Sequence, residues 1–348
     1  MSENTVSPSV PWAICMASFN YEKREGRGED ADPLTLVNDE SVWIGVFDGM
    51  GGAGAQMIET PEGLRSAAHV ASRHAVGLTA DWIRSSAEMA AKEAAQDLHD
   101  FLKAGLDSKQ RELAPVESRI RSRLIRKLPT TAAILQICDH QAGTYELRAF
   151  WAGDSRVFAL TPSHGLLQLT VDHLKGGPDP YENLSSDAPM SNCLEADEEF
   201  FIEEALLRLE EPFIAIAATD GCFGYFNTPM EFEELLVESV YEAQDFNAWR
   251  DILIEKICKA TGDDASMAFV VVGLSSIDEF KAAMQEGRLR LYDNFMSKLN
   301  TIESTVRLTR VQLEELKRAE EEQLSSMKTL WQRYKETYQP ELPRLRSK

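Results

Sequence analysis

The sequence predicts an α+β fold followed by a helical tail, and three observations lead to this prediction. β-type runs lie on both sides of a long helical stretch and do not alternate with single helices, a pattern typical of α+β domains. The apolar fraction of the 348 residues is 43%, which is enough for a packed core. After residue 275, apolar residues recur three or four positions apart, which is typical of amphipathic helices.

The first half of the chain predicts two strands and then helices. The strands are expected over 11–19 ("PWAICMASF") and 41–47 ("SVWIGVF"), with a polar, glycine-bearing loop over 20–33 between them. From Thr60 to about Leu128 the pattern is helical. The first helical segment has Thr60 as its predicted N-cap and Pro61 at the first helical position, and the last covers 114–128.

The second half predicts more strands, two short helices and the tail. Strands are expected over 130–138, 145–153, 155–160, 166–170, 212–218 and 266–273, with a loop-rich region over 172–198 and helices over about 230–241 and 246–260. No Pro or Gly interrupts 288–339, so one or two long helices are expected there. Thr309 and Glu320 interrupt the heptad pattern. The tail either packs on the body or pairs with a partner helix or a second copy through 280–340.

Composition excludes several classes of protein. No apolar run reaches the roughly 20 residues of a membrane span, and no secretory signal is recognised at the N-terminus. Five scattered cysteines favour a reducing, cytoplasmic setting over a disulfide framework or a zinc ribbon. The net charge of −21 argues against nucleic acid as a partner. Residues 280–348 carry 14 Lys/Arg against 10 Asp/Glu, so the acidic surplus lies in the body.

Acidic residues adjoin the ends of three predicted strands. Asp48-Gly49 follows "VWIGVF", Asp220-Gly221 follows "FIAIAAT", and Asp263-Asp264 precedes "ASMAFVVV". Any one Asp-Gly after a strand is more often a turn. Several carboxylates that converge, however, would form an oxygen-rich site suited to Mg²⁺ or Mn²⁺ rather than zinc. A further acidic pair, Glu29-Asp30, lies in the loop after the first strand, and Asp154 lies in "WAGDSRVFAL".

These motifs together resemble the PPM family, the type 2C metal-dependent protein serine/threonine phosphatases. The resemblance rests on the ordered set "GEDAD" (28–32), "VFDGMGG" (46–52), "PTTAAILQI" (129–137), "WAGDSRVFAL" (151–160), "DH" (172–173), "IAATDG" (216–221) and "GDDASMAFVVV" (262–272). It covers about residues 10–275. The sequence therefore predicts a phosphatase domain over 1–275 and a helical or coiled-coil-like extension over 276–348.

The resemblance implies both a fold and a mechanism. Members of the family fold as a central β-sandwich of two antiparallel sheets flanked by helices on both faces. By similarity, the inner ligands of two cations and the catalytic aspartates would be Asp48, Asp220 and Asp263. The resemblance further implies a carbonyl ligand from Gly49, direct or water-mediated contacts from Glu29 and Asp30, and attack on phosphoserine or phosphothreonine by a metal-activated water.

The sequence departs from the family pattern at three places. Met50 stands where many eukaryotic members have a histidine that is thought to protonate the leaving group, although bacterial members often carry Met here. Glu25 occupies the usual place of a phosphate-binding arginine, so Arg24 or Arg27 would have to take that role. Gly224 replaces an acid that helps the residue equivalent to Asp154 hold a third metal, which argues against a third metal here and against Asp154 as a direct ligand.

Three functions remain open from the sequence. The first is an active Mg²⁺- or Mn²⁺-dependent phosphoprotein phosphatase. The second is a catalytically inactive relative that acts as a scaffold through its helical tail. The third is a hydrolase of small phosphoesters on the same fold. All predicted inner-shell aspartates are present, which favours an active enzyme.

Overall fold

The structure is a computed structural model that describes residues 2–6, 8–38, 40–61, 63–85, 93–113, 126–141, 143–177, 179–185 and 188–338. It divides into two compact units, Met1–Leu291 and Tyr292–Lys348. The helix predicted over 114–128 and the end of the tail, 339–348, lie largely or wholly outside the described residues.

The first unit contains two antiparallel sheets. The six-stranded sheet has the order β1 (Ser2–Val6), β2 (Ala13–Tyr21), β13 (Ala265–Val272), β12 (Phe213–Ala218), β9 (Arg156–Thr161) and β10 (Gly165–Gln168). The five-stranded sheet has the order β11 (Glu203–Leu209), β8 (Thr144–Ala152), β7 (Ala132–Gln141), β4 (Ser41–Val46) and β3 (Leu34–Val37). A short hairpin is formed by β5 (Met57–Thr60) and β6 (Gly63–Ser66). The predicted pair of antiparallel sheets is confirmed.

Helices cover both outer faces of this sandwich. They are α1 (Ala67–Ser85), α2 (Ala94–Glu112), α3 (Pro180–Ser185), α4 (Asp220–Phe223), α5 (Pro229–Glu242), α6 (Phe246–Ala260) and α7 (Ile277–Leu291). Side chains of α1 and α2 pack on the five-stranded sheet. Side chains of α5, α6 and α7 pack on the six-stranded sheet. The predicted arrangement of helix, sheet, sheet and helix layers is therefore confirmed.

Successive side chains of these strands face the helices and the other sheet in turn, and both faces are buried. The strand sequences are therefore continuous apolar runs. In β4, Trp43 faces the helices and packs near Trp82 of α1, with ring centroids 6.0 Å apart, whereas Val42 and Ile44 face the other sheet. In β12, Ile214 faces the helices, while alternate residues of the strand lie between the sheets. Both faces of each strand are covered, so a polar side chain would be buried on either one.

Helix α7 belongs to the first compact unit. Ile277, Phe280 and Met284 are each at most 4% exposed and join the core on the outer face of the six-stranded sheet. The compact unit therefore runs to Leu291, beyond the sequence-predicted boundary after residue 275. That boundary remains a prediction about where the phosphatase domain ends.

The second unit begins with a π-helical turn, Tyr292–Met296, and continues as α8 (Ser297–Tyr338). Helix α8 has 42 residues, which corresponds to a length of about 63 Å at 1.5 Å per residue. Every residue from 300 to 335 is exposed. The exposed set includes the large apolar side chains Ile302, Val306, Leu313, Leu316, Leu324, Met327, Trp331 and Tyr334. Among the described residues, no helix combines the length and apolar character that a membrane span requires.

Candidate metal centre

Asp48 lies just beyond the end of β4, where two threonines fix its backbone. Its N–H donates to Thr131 Oγ1 at 3.2 Å, and its carbonyl accepts from the Thr131 N–H at 2.8 Å and from Thr130 Oγ1 at 2.7 Å. The Thr131 and Ser155 hydroxyl oxygens are 2.6 Å apart. These contacts tie the ends of β4 and β7 to the turn before β9, so the "TT" and "GDS" motifs support the position of Asp48.

Asp220 and the pair Asp263-Asp264 meet because their strands are antiparallel neighbours. Asp220 follows the end of β12, Asp264 immediately precedes β13, and these two strands pair over Ala218 and Met267. A Cβ on Gly221 would overlap the carbonyl oxygen of Asp264. Glycine is therefore needed after Asp220 because backbone from the neighbouring turn occupies that space.

The loop containing Glu29 and Asp30 is held against these turns. Asp264 accepts the N–H of Lys23 at 2.8 Å and the N–H of Glu29 at 2.7 Å through its two carboxylate oxygens. Asp30 accepts a 2.8 Å hydrogen bond from Thr219 Oγ1. An aspartate at 264 can accept both backbone donors at once, which gives the extra carboxylate at this position a structural role.

These residues line one cavity of about 460 Å³. The lining consists of Glu29, Asp30, Asp48, Gly49, Met50, Gly51, Gly52, Ala53, Thr131, Asp154, Met190, Asp220, Asp263 and Asp264. The structure thus brings together every acidic residue that the sequence nominated for metal binding, and Gly49 with them. Met190 and Ala53 were not anticipated, since nothing in their local sequence distinguishes them.

The carboxyl groups of the cavity destabilise one another's charged forms. Burial raises the pKa of Asp30 to about 7 and that of Asp154 to about 8, and the nearby Asp220 carboxylate acts in the same direction on both. The pKa of Asp48 lies well above its usual range because of burial and because Asp30 and Asp220 are close. Burial also raises the pKa values of Asp220 and Glu29. Positive charge in the cavity would lower these raised pKa values.

The donor set fits a hard divalent cation. All candidate ligands are oxygens, and neither cysteine nor histidine lines the cavity among the described residues. The carboxylates of Asp30 and Asp220 are close enough to Asp48 to raise its pKa, and a bound cation would relieve this repulsion. Within the described ranges, no three Asp, Glu, His or Cys side chains have the geometry of a preformed metal site. The fit therefore rests on the chemistry of the donors and on their shared cavity.

The predicted phosphate-binding arginines lie elsewhere. Arg24 and Arg27 are exposed, and neither lines the cavity. No lysine, arginine or histidine side chain of the described residues lines it. Their role in binding phosphate stays a prediction.

A second cavity of about 380 Å³ adjoins the first and shares Asp154 and Asp220 with it. Its wall includes a buried ion pair in which Arg156 Nε and Nη2 donate to the two carboxylate oxygens of Asp172 at 2.9 and 2.6 Å. The Arg156 guanidinium also stacks on the Phe223 ring, with 4.4 Å between its central carbon and the ring centroid. The charge of Arg156 is therefore paired with Asp172 and packed on Phe223.

Comparisons with solved structures identify the same fold. The serine/threonine phosphatase Stp1 from Staphylococcus aureus is similar over 77% of this chain and 97% of its own, with a TM-score of 0.56 and 14% sequence identity. A bacterial serine phosphatase is similar over 74% of this chain and 97% of its own, with a TM-score of 0.54 and 15% identity. A sex determining protein of C. elegans is similar over 77% of this chain and 67% of its own, with a TM-score of 0.53.

These likenesses establish a serine/threonine phosphatase fold for this chain. No protein-family model and no curated protein matches the sequence. At 14 to 15% sequence identity, these comparisons show the architecture alone, and the chemistry has to be inferred from the residues of the cavity.

Proposed function

We propose that the chain is a metal-dependent phosphoprotein phosphatase of the PPM family, type 2C, which hydrolyses phosphoserine and phosphothreonine. The observation that carries the proposal is the meeting of Asp48, Asp220 and Asp263 in one cavity of a phosphatase-like sandwich. Each of these residues adjoins a different strand, and the loop over 29–31 is hydrogen-bonded to Phe47, Thr219 and Asp264 beside them.

Two Mg²⁺ or Mn²⁺ ions would be held by the carboxylates of Asp48, Asp220 and Asp263 and by the carbonyl of Gly49. Glu29 and Asp30 would support them directly or through water. Asp154 is the candidate ligand of a third ion, and Gly224 in place of a second acid argues against that ion. When bound, such cations activate water as a nucleophile and neutralise the charge of the phosphoryl group. The protein itself orients the ligands through Thr130, Thr131 and Asp264.

No basic side chain lines the cavity among the described residues. This favours metal-dependent hydrolysis over a mechanism that uses a cysteine nucleophile or an arginine. The five cysteines are free thiols, and burial raises the pKa of Cys193 to about 12 and that of Cys15 to about 11. Thiols with raised pKa values are poor nucleophiles. Free thiols also agree with the proposed reducing, cytoplasmic setting.

For the tail we keep the prediction of a helical partner or self-association. The exposed apolar side chains of α8 support it, because contiguous exposed apolar surface is typical of interaction sites. Light-scattering measurement of molar mass for the full chain and for a chain ending at Leu291 tests self-association.

The activity test uses a chromogenic aryl phosphate and a phosphothreonine peptide, each with Mn²⁺ or with EDTA. We expect turnover of both by the parent protein with Mn²⁺, and loss of at least about 100-fold in Asp48→Asn and Asp220→Asn, since each removes a ligand charge. Asp278→Asn is the matched control, because this carboxylate on α7 is 85% exposed. No turnover by the parent above the Asp48→Asn background would favour the scaffold, whereas turnover of the aryl ester alone would favour the small-phosphoester hydrolase.

A further inference from the structure

The metal cavity lacks an obvious donor for the leaving group. Met50 is one of its lining residues and cannot donate a hydrogen bond. The hydroxyl of Thr131, which also lines it, is already paired with Ser155 and with the Asp48 N–H. The remaining polar side chains of its lining are the carboxyl groups. A serine or threonine oxygen is a poor leaving group unless a donor stabilises the developing negative charge.

Tyr225 lies in the wall of the second cavity, which adjoins the metal cavity. It lines the second cavity beside Asp154 and Asp220, the two residues that the cavities share. Its ring packs on Gly262, where a Cβ would come within 2.6 Å of ring carbon Cε1 and 3.0 Å of the hydroxyl oxygen. Glycine at 262 therefore admits the tyrosine next to Asp263. The short helix α4 and Gly224, whose N–H donates to the Asp220 carbonyl at 2.6 Å, turn the chain toward this position.

The Tyr225 hydroxyl is an uncommitted donor. It forms no hydrogen bond with any described residue, whereas the other donors of the second cavity, Arg156 and Asn183, both donate to Asp172. Tyr225 is 49% exposed, so substrate and water can reach it.

We propose that Tyr225 donates the hydrogen bond, and finally the proton, to the leaving oxygen of the phosphorylated residue. Tyr225 thereby takes the role that Met50 cannot fill. The inference rests on the proposed phosphatase function. The attacking water forms the new P–O bond, keeps one proton on the phosphate and releases its other proton to solvent. The broken P–O bond leaves its electron pair on the serine or threonine oxygen, which receives the proton from Tyr225. Bulk water then returns a proton to the exposed phenolate.

The test compares Tyr225→Phe with the parent over a series of phosphate esters of increasing leaving-group basicity, from a nitrophenyl phosphate to a phosphothreonine peptide. Tyr225→Phe keeps the ring on Gly262 and removes only the hydroxyl. We expect the loss of kcat to grow along the series and to reach about 10- to 100-fold for the peptide. Tyr181→Phe is the control, because this tyrosine is 58% exposed on α3 and lines neither cavity.

A second readout does not depend on turnover. The rise in unfolding temperature on adding Mn²⁺ should be the same in Tyr225→Phe and the parent, since the hydroxyl holds no ligand in place. A loss of equal size on every ester, a change confined to KM, or no loss at all would overturn the assignment to the leaving group. A parent protein that hydrolyses none of the esters would overturn the proposed function and this inference with it.

Discussion

The stability of the metal-free protein should fall as the pH rises from 5 to 8, and Asp30 should account for much of the fall. Asp30 is 2% exposed, and burial raises its pKa from the usual 3.8 to about 7. An acid whose pKa is higher in the folded state stabilises that state while it is protonated. Its contribution is complete below pH 3.8 and is lost as the pH rises through 7.

The magnitude follows from the difference between the folded and unfolded pKa values of Asp30. A shift from 3.8 to about 7 corresponds to about 4 kcal/mol over the whole titration. Between pH 5 and pH 8, the part that changes is about 3 kcal/mol. Asp30→Asn keeps the shape of the side chain and an acceptor for Thr219, but it does not titrate. The pH dependence of the variant should therefore be weaker by about this amount.

The assay is urea unfolding of both proteins in EDTA at several pH values. Burial lowers the pKa values of His74 and His173, so these groups make stability rise with pH through about 6.5, in the opposite direction. Both proteins contain these histidines, so their contribution cancels in the difference between parent and variant, which reports Asp30 and its electrostatic coupling to Asp48 and Asp220. Parallel pH profiles for the two proteins would refute the electrostatic account of the cavity. In the parent, saturating Mn²⁺ should restore stability most strongly at pH 8, where protons compete least.

Three further predictions concern the frame of the site. Arg156→Met should lower the free energy of unfolding in urea by about 3 to 5 kcal/mol, because it leaves Asp172 buried without its partner, and a loss below 1 kcal/mol would contradict this. Gly221→Ala should abolish the Mn²⁺-dependent rise in unfolding temperature, since its Cβ would displace the neighbouring turn, and an unchanged rise would contradict the packing. A chain ending at Leu291 should keep the unfolding temperature of the first unit. A chain ending at Ser275 should unfold at a lower temperature, because buried side chains of α7 are removed. Equal unfolding temperatures for the two chains would show that α7 is dispensable.

The strands and the acids beside them could be predicted from local patterns, whereas the sandwich was predicted through the resemblance to a known family. The apolar runs of β4, β12 and β13 are continuous since both faces of each strand are buried. The acids at 48, 220 and 263–264 adjoin strand ends at one end of the sandwich, where the antiparallel order of the sheets brings them together. Strand ends and acid-glycine pairs are visible without a structure.

Contacts between distant loops could not be predicted in the same way. Asp264 accepts backbone N–H groups more than 230 positions away in the chain, and no local pattern signals that pairing. The place of Tyr225 depends on the space that Gly262 leaves open for its ring. The packing of α7 on the six-stranded sheet also depends on tertiary contacts, because its amphipathic pattern resembles that of the exposed tail that follows.

The central claim is that the acidic cavity holds two divalent cations through Asp48. Calorimetric titration of Mn²⁺ into the EDTA-stripped, desalted protein tests it most directly. The account predicts two ions per chain for the parent, two for Asp278→Asn, and loss of tight binding in Asp48→Asn, with each protein confirmed as folded by circular dichroism. A parent that binds no Mn²⁺ at millimolar concentration, or an Asp48→Asn protein that binds as the parent does, would contradict it.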